Sequence, residues 1–202
     1  MNYVYQAYGL NCSSNVPISA FSPNVADVSS LDIIIEICAE APGWVRSARH
    51  LAPSIRYREP GQVGTPPHTV TVFGTDEFFE LTYSDGTRFV IDGDAKRLWG
   101  ACPTSENVDH LGIYLQGPLM GFALRRRGVT ALHASAVCVD GRAVVLCGPS
   151  ETGKSTTGAA LALRGAPVLC DDIAALKEKN NAFQVESGAF RVCIWPDTVR
   201  NL

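Results

Sequence analysis

The chain has 202 residues, room for one large domain or two small ones. Apolar residues make up 46% of it, near the globular average, which excludes disorder throughout. A formal charge of −3 speaks against binding nucleic acid by bulk electrostatics.

The first ten residues lack the basic start and apolar block of a signal peptide. Ser13 to Ser30 and Pro53 to Pro67 carry prolines, serines and glycines and read as loops. Between and after them the pattern is that of strands. Asp32 to Cys38 is rich in isoleucine, and Thr69 to Phe73 alternates around Val70 and Val72. Phe78 to Tyr83 and Thr87 to Ile91 flank Ser84-Asp85-Gly86, whose Asp-Gly pair suits a hairpin. Lys96 to Cys102 adds one more strand. Residues 1–106 thus read as a small, mostly antiparallel β-rich domain without a catalytic cluster.

From residue 107 to residue 202 helix and strand alternate. Asn107 to Arg127 reads as helical, broken at Gly117-Pro118, and Arg125-Arg126-Arg127 as its solvated end. Leu111 to Leu124, the longest apolar stretch, is shorter than the ~18–20 residues that cross a bilayer. Thr130 to Val139 and Arg142 to Cys147 are strands joined by a second hairpin signal, Asp140-Gly141. Thr156 to Arg164 is an alanine- and leucine-rich helix closed by Gly165. Pro167 to Leu169 is a short buried strand ending at Asp171-Asp172. Ala174 to Lys177 and Phe183 to Val185 form a hairpin at Asn180-Asn181. Phe190 to Ile194 reads as a last strand, and Trp195-Pro196-Asp197 opens a helical turn. The seven scattered cysteines include no C-x-x-C pair, which suggests reduced thiols in a soluble, cytoplasmic protein.

The chemistry concentrates on Gly148-Pro149-Ser150-Glu151-Thr152-Gly153-Lys154-Ser155, which matches G-x-x-x-x-G-K-[ST] in full. The glycines let successive N–H groups turn inward around a phosphate. Lys154 brings a positive charge to the β- and γ-phosphates, and Ser155 a hydroxyl for magnesium. The helix that starts near Thr156 presents its positive end to the same anion. Glu151 is an unusual neighbour for phosphates and is expected to face solvent.

Asp171 and Asp172 follow a strand that one crossover helix separates from the loop's own strand. A parallel arrangement would bring the two strands side by side, with both carboxylates at the carboxyl edge of the sheet. One can hold magnesium and the other can accept the proton of an attacking hydroxyl. His133 and Gly148 lie equally far from the Asp140-Gly141 turn, so the hairpin should bring them together. His133 could then orient Asp171 or meet the γ-phosphate. Ser135 has a weaker claim to the site.

Together, His133, the hairpin, the loop 148–155, the helix ending at Arg164-Gly165 and Leu169-Cys170-Asp171-Asp172 resemble the catalytic domain of HPr serine kinase/phosphorylase. Leu132-His133-Ala134-Ser135-Ala136-Val137 and Trp195-Pro196-Asp197 resemble the branch associated with peptide-modification clusters such as those of lasso peptides. The resemblance covers about residues 110–200. It implies an α/β P-loop kinase domain of the HPr kinase/phosphoenolpyruvate carboxykinase type, with ATP and Mg2+ as ligands and a serine-bearing protein or peptide as substrate. It implies Lys154 and Ser155 for nucleotide and metal, Asp171 as the base near His133, and Asp172 as a metal-side carboxylate.

The family usually shows glycine at the place of Glu151, an acidic residue at that of Thr156, and glycine at that of Ala134. It also continues beyond the point reached at Leu202, 47 residues past Ser155, with elements that dock the substrate. A C-terminally truncated member is therefore expected, with an inactive nucleotide-binding regulatory or scaffold protein as the alternative to a kinase. A third reading is an ordinary P-loop ATPase or GTPase switch. It is disfavoured by the antiparallel entry to the loop and by the lack of an Asn/Thr-Lys-x-Asp signature. Too few helices are in view to cover the second sheet, so a homo-oligomer, or a poorly soluble monomer, is expected.

Overall fold

The computed structural model describes residues 2–23, 30–48, 50–51, 53–58, 68–73, 77–103, 108–188 and 192. In chain order the first elements are β1 (Tyr3–Ala7), β2 (Leu10–Ser14), β3 (Ser22–Pro23), β4 (Ile33–Ile37), α1 (Gly43–Ala48), β5 (Pro53–Arg58), β6 (His68–Phe73), β7 (Phe78–Tyr83), β8 (Arg88–Asp92) and β9 (Arg97–Ala101). They are followed by α2 (Val108–Tyr114), a π-helical turn (Leu115–Leu119), α3 (Met120–Arg126), β10 (Thr130–Val139), β11 (Arg142–Cys147), α4 (Lys154–Leu163), β12 (Val168–Cys170), β13 (Ile173–Lys179) and β14 (Ala182–Glu186). The protein is thus α and β, mostly strands, with mixed sheets.

These elements form two compact units. The first comprises Met1–Val4, Asn11–Ile18 and Ala26–Leu111. Its sheet runs β2-β4-β9-β8-β7-β6-β5. The pairs β2·β4 and β4·β9 are parallel and the rest antiparallel. Alternation decides the faces. Ile33, Ile35 and Ile37 are buried while Ile34 is exposed, and Phe79, Leu81 and Tyr83 are buried on β7. Trp99 packs with Val45 of α1 and Val90 of β8. The hairpin at Ser84-Asp85-Gly86 forms as its sequence suggests, with Gly86 at φ +85° and the Thr87 amide donating to Asp85 Oδ1.

Two stretches read as loops contain strands. β2 reaches Ser14 and β3 occupies Ser22–Pro23, while β5 occupies Pro53–Arg58. Pro53 is tolerated because it opens the strand, and β5 stands at the end of the sheet order.

The second unit comprises Tyr5–Leu10, Ser19–Val25 and Gly112–Leu202. Its sheet runs β11-β10-β13-β14, with β12 also paired to β10. The helix expected to break at Gly117-Pro118 instead runs on through the π-turn, which holds Pro118. Proline lacks an N–H and crowds the carbonyl four residues back, and the widened turn absorbs both effects. Helix α4 starts two residues earlier than its sequence suggests and ends before Gly165, which adopts φ +95°. The expected strand Phe190–Ile194 and the turn at Trp195-Pro196-Asp197 lie outside the described residues, apart from Val192, which is in no strand. Among the described residues, no helix is long and apolar enough to cross a membrane.

In the first unit, Gly100 is held between Phe89 and Ile37, its neighbours on the flanking strands. A Cβ at Gly100 would lie 2.7 Å from a Phe89 ring carbon and 2.8 Å from Ile37 Cδ1. Gly100→Ala is therefore expected to destabilise the protein by about 1–3 kcal/mol, the usual range for overpacking. A fall in the urea midpoint without a change of slope would show it.

Candidate phosphate-loop site

The site is assembled by the pairing of β10. Across the Asp140-Gly141 turn β10 meets β11 in antiparallel register, from Val139 opposite Arg142 to Ala134 opposite Cys147. Both turn residues have positive φ, +49° and +73°, as a type I′ turn requires. The same register carried one residue further sets His133 level with Gly148, as the equal spacing from the turn anticipates.

On the other edge of β10, Thr130 to His133 pair with Leu176 to Ile173, and Ala136 pairs with Cys170. β12 and β13 are therefore two parts of one line of chain against β10. The side-by-side placement of β12 and the loop's own strand does not occur. β11 and β12 both run antiparallel to β10, which lies between them and brings His133 into the gap.

Asp171 and Asp172 interrupt that line. The Ile173 amide donates to the Asp171 carbonyl at 2.9 Å, and Asp172 between them has φ +69°. This is the positive-φ form of the γ-turn, which is rare and strained. The Asp172 carbonyl still accepts from the Ala134 amide at 3.1 Å. The kink ends the alternation of side chains. Asp171 turns inward and is 1% exposed. His133 meets Asp172, whose Oδ1 lies 3.3 Å from His133 Nε2.

A wall on the other side of Asp172 comes from the π-turn. A Cβ at Gly117 would overlap Asp172 Oδ2, so only glycine allows the carboxylate its place. One helical turn on, Gly121 abuts Ile173 in the same way. Sequence reading left Gly117 as a helix breaker. Its packing role depends on the kink at Asp172, which has no signature in the residues.

Burial raises the Asp172 carboxyl above the ordinary aspartate range, and the neighbouring Asp171 charge raises it further. His133 and Lys154 pull it back down without cancelling the rise. The Cys170 thiol is pushed up to about 12, first by burial and then by Asp171, against a backbone hydrogen bond from Ala136. At neutral pH it is a protonated core thiol, packed with Ala134, Ala136 and Ala174.

The loop itself begins at Gly148. Gly153, at φ +88°, is the N-cap of α4, and the Thr157 amide donates to its carbonyl at 2.8 Å. Glu151 takes φ +66° and is exposed, like Pro149, Ser150 and Thr152, while Ser155 and Thr156 are half-buried. Thr152 Oγ1 donates to the Pro149 carbonyl at 2.9 Å. Lys154 Nζ donates to the carbonyls of Gly148 at 3.0 Å and Pro149 at 2.7 Å. These contacts turn the lysine back onto the carbonyls of its own loop. Ser135 is buried where β10 meets Gly158 of α4, whose missing side chain leaves room for its hydroxyl.

No family model, curated protein or solved structure significantly matches the chain. Among the described residues, no group of three or more His, Cys, Asp or Glu side chains could hold a metal ion by itself.

The raised Asp172 carboxyl has a consequence for stability. The folded chain holds this proton more tightly than the unfolded one. Stability therefore falls as pH rises from the ordinary aspartate value through the raised one, and stays reduced above it. Asp172→Asn removes the half-buried charge. It is expected to raise Tm at pH 7, with the gain shrinking toward pH 4. Thermal melts across that range check the sign, and a variant less stable than the parent at pH 7 would contradict it.

Proposed function

We propose that the chain binds ATP with magnesium on the 148–155 loop and transfers the γ-phosphate to a serine hydroxyl of a protein or peptide in the cytoplasm, as an HPr-kinase-like P-loop phosphotransferase. One observation carries the reading. Three segments, after β11, on β10 and after β12, bring the loop of Lys154, His133 and Asp172 to a single edge. This nearness supports the reading drawn from residue order, since a phosphate held on the loop would stand close to a carboxylate and the histidine beside it.

In this reading the amides of the loop and the N-terminal end of α4 hold the β- and γ-phosphates. Lys154 leaves the Gly148 and Pro149 carbonyls for the phosphate oxygens. Asp172, held through Oδ1 by His133, accepts the proton of the serine hydroxyl as its oxygen bonds to the γ-phosphorus. The bond from that phosphorus to the bridging oxygen breaks, and ADP leaves. This reading gives the base role to Asp172 in place of Asp171, because Asp171 is buried. Ser155 would supply a hydroxyl to a hard cation, and the half-buried carboxylate of Asp172 would reach it only through water while serving as base. Magnesium is commonly held by one or two carboxylates together with substrate phosphates, and when bound it would neutralise phosphate charge. A homo-oligomer belongs to the proposal because Leu163 and Phe183 of the second unit are about 70% exposed.

Lys154→Ala is expected to weaken ATP binding roughly 10- to 100-fold, the range for losing a charge-assisted hydrogen bond, with the fold intact. Calorimetry with ATP and magnesium measures it, and equal affinities would overturn the loop assignment. Mass spectrometry of serine peptides incubated with the protein and ATP tests the transfer. Binding without transfer to any of them would favour the inactive regulatory reading.

A further inference from the structure

We propose that Tyr8 is a positioning residue for Asp172, acting through the π-turn at Leu115–Leu119. It sits in the second unit, in the Tyr8-Gly9 turn between β1 and β2. Its φ is +56°, a strained conformation for a bulky residue. The surrounding contacts hold it there. Its amide donates to the Ser187 carbonyl at 2.7 Å, and its ring lies where a side chain on Gly188 would be. The ring is 2% exposed, and the hydroxyl donates to the Gln116 carbonyl at 2.6 Å.

That carbonyl is the one the π-turn diverts. In an α-helix the Met120 amide would donate to Gln116. Here it donates to Leu115, five residues back, and to Gly117, three back. The phenol of Tyr8 takes the place that the Met120 amide gives up. The next residue is Gly117, whose Cα stands against Asp172 Oδ2. The order of contact is therefore Tyr8 hydroxyl, Gln116 carbonyl, Gly117 Cα, Asp172 carboxylate and His133. Pro118 keeps the turn wide, and the phenol fixes where the Gln116–Gly117 peptide stands within it, so removing the hydroxyl frees that peptide to move. Gly117 then shifts, and the carboxylate loses the wall that sets its distance from His133. A π-turn placed beside a reactive carboxylate fits the tendency of such turns to occur at functional sites.

The catalytic consequence rests on the kinase reading, but the positioning does not, and two readouts separate them. The first is the crystal structure of Tyr8→Phe set beside that of the parent protein. In the variant the Gln116–Gly117 peptide is expected to shift, and Asp172 Oδ1 to move away from His133 Nε2, which lies 3.3 Å from it in the parent. The second readout is transfer kinetics. There kcat is expected to fall roughly 10- to 100-fold while KM for ATP stays within about twofold, the mark of a misplaced group and not of lost binding. An unchanged peptide and an unchanged His133–Asp172 distance overturn the proposal even if Tyr8→Phe melts earlier, since Tyr8 would then be only a packing residue. If the parent protein transfers no phosphate, the kinase reading fails and the two structures still decide the role of Tyr8. Should Tyr8→Phe not fold, 3-fluorotyrosine at position 8 keeps ring and hydroxyl but changes the donor strength. The backbone amide resonances of Gly117 and Asp172 must then shift, and no shift overturns the proposal.

Discussion

The backbone pairing of β10 is the constraint on which the site depends. This strand is bonded on both edges, to β11 on one side and to β12 and β13 on the other. A one-residue slip against either neighbour would send His133 to the opposite face and Ala134 into its place. The position of His133 is thus fixed twice by main-chain hydrogen bonds before any side chain is considered. Small residues let the layers close on this frame. Ala134, Ala136 and Ala174 pack on one side, while Gly121 meets Ile173 and Gly158 meets Ser135 where helices approach. A site built on strands held in this way needs little from side-chain rotamers to keep its geometry.

Against that rigid frame stand the costs gathered around the loop. Glu151 and Asp172 have positive φ without being glycine, and so does Tyr8 behind the π-turn. Asp172 also keeps a carboxylate where burial disfavours its charge. Each of these works against stability, and a chain selected for stability alone would shed them. Positive φ at non-glycine residues occurs also in the turns at Ala95, Asp140, Asn180 and Asn181, so what sets this region apart is such strain combined with a carboxylate whose charge is disfavoured.

Much of the frame was legible in the residues. The Asp140-Gly141 and Asn180-Asn181 pairs announced their hairpins, and counting outward from the first placed His133 opposite Gly148. The loop and the helix after it followed from glycine spacing. Other parts had no local signal. Tyr8-Gly9 forms a turn with a residue that ordinarily avoids positive φ, so the first hairpin passed unread. Pro53 looked like a loop residue although it opens an edge strand. The Asp171-Asp172 pair looked like a strand end, whereas the chain continues along β10 after a γ-turn. That turn reverses which aspartate meets His133, and no rule of alternation could foresee it. Pro118 looked like a helix break because the widened turn that accommodates it depends on contacts distant in sequence.

The two-residue turn at Asp140-Gly141 is solvent-exposed and seven residues from His133, roughly 20 Å along an extended strand. Such tips are ordinarily where a chain best accepts insertions and new connections. Here the tip works as the zero mark of a ruler. One residue added there would leave each strand intact, yet offset the loop against β10 by a step and face Gly148 with the wrong neighbour. Attempts to graft peptides or permute the chain would therefore find this remote corner as unforgiving as the 148–155 loop itself.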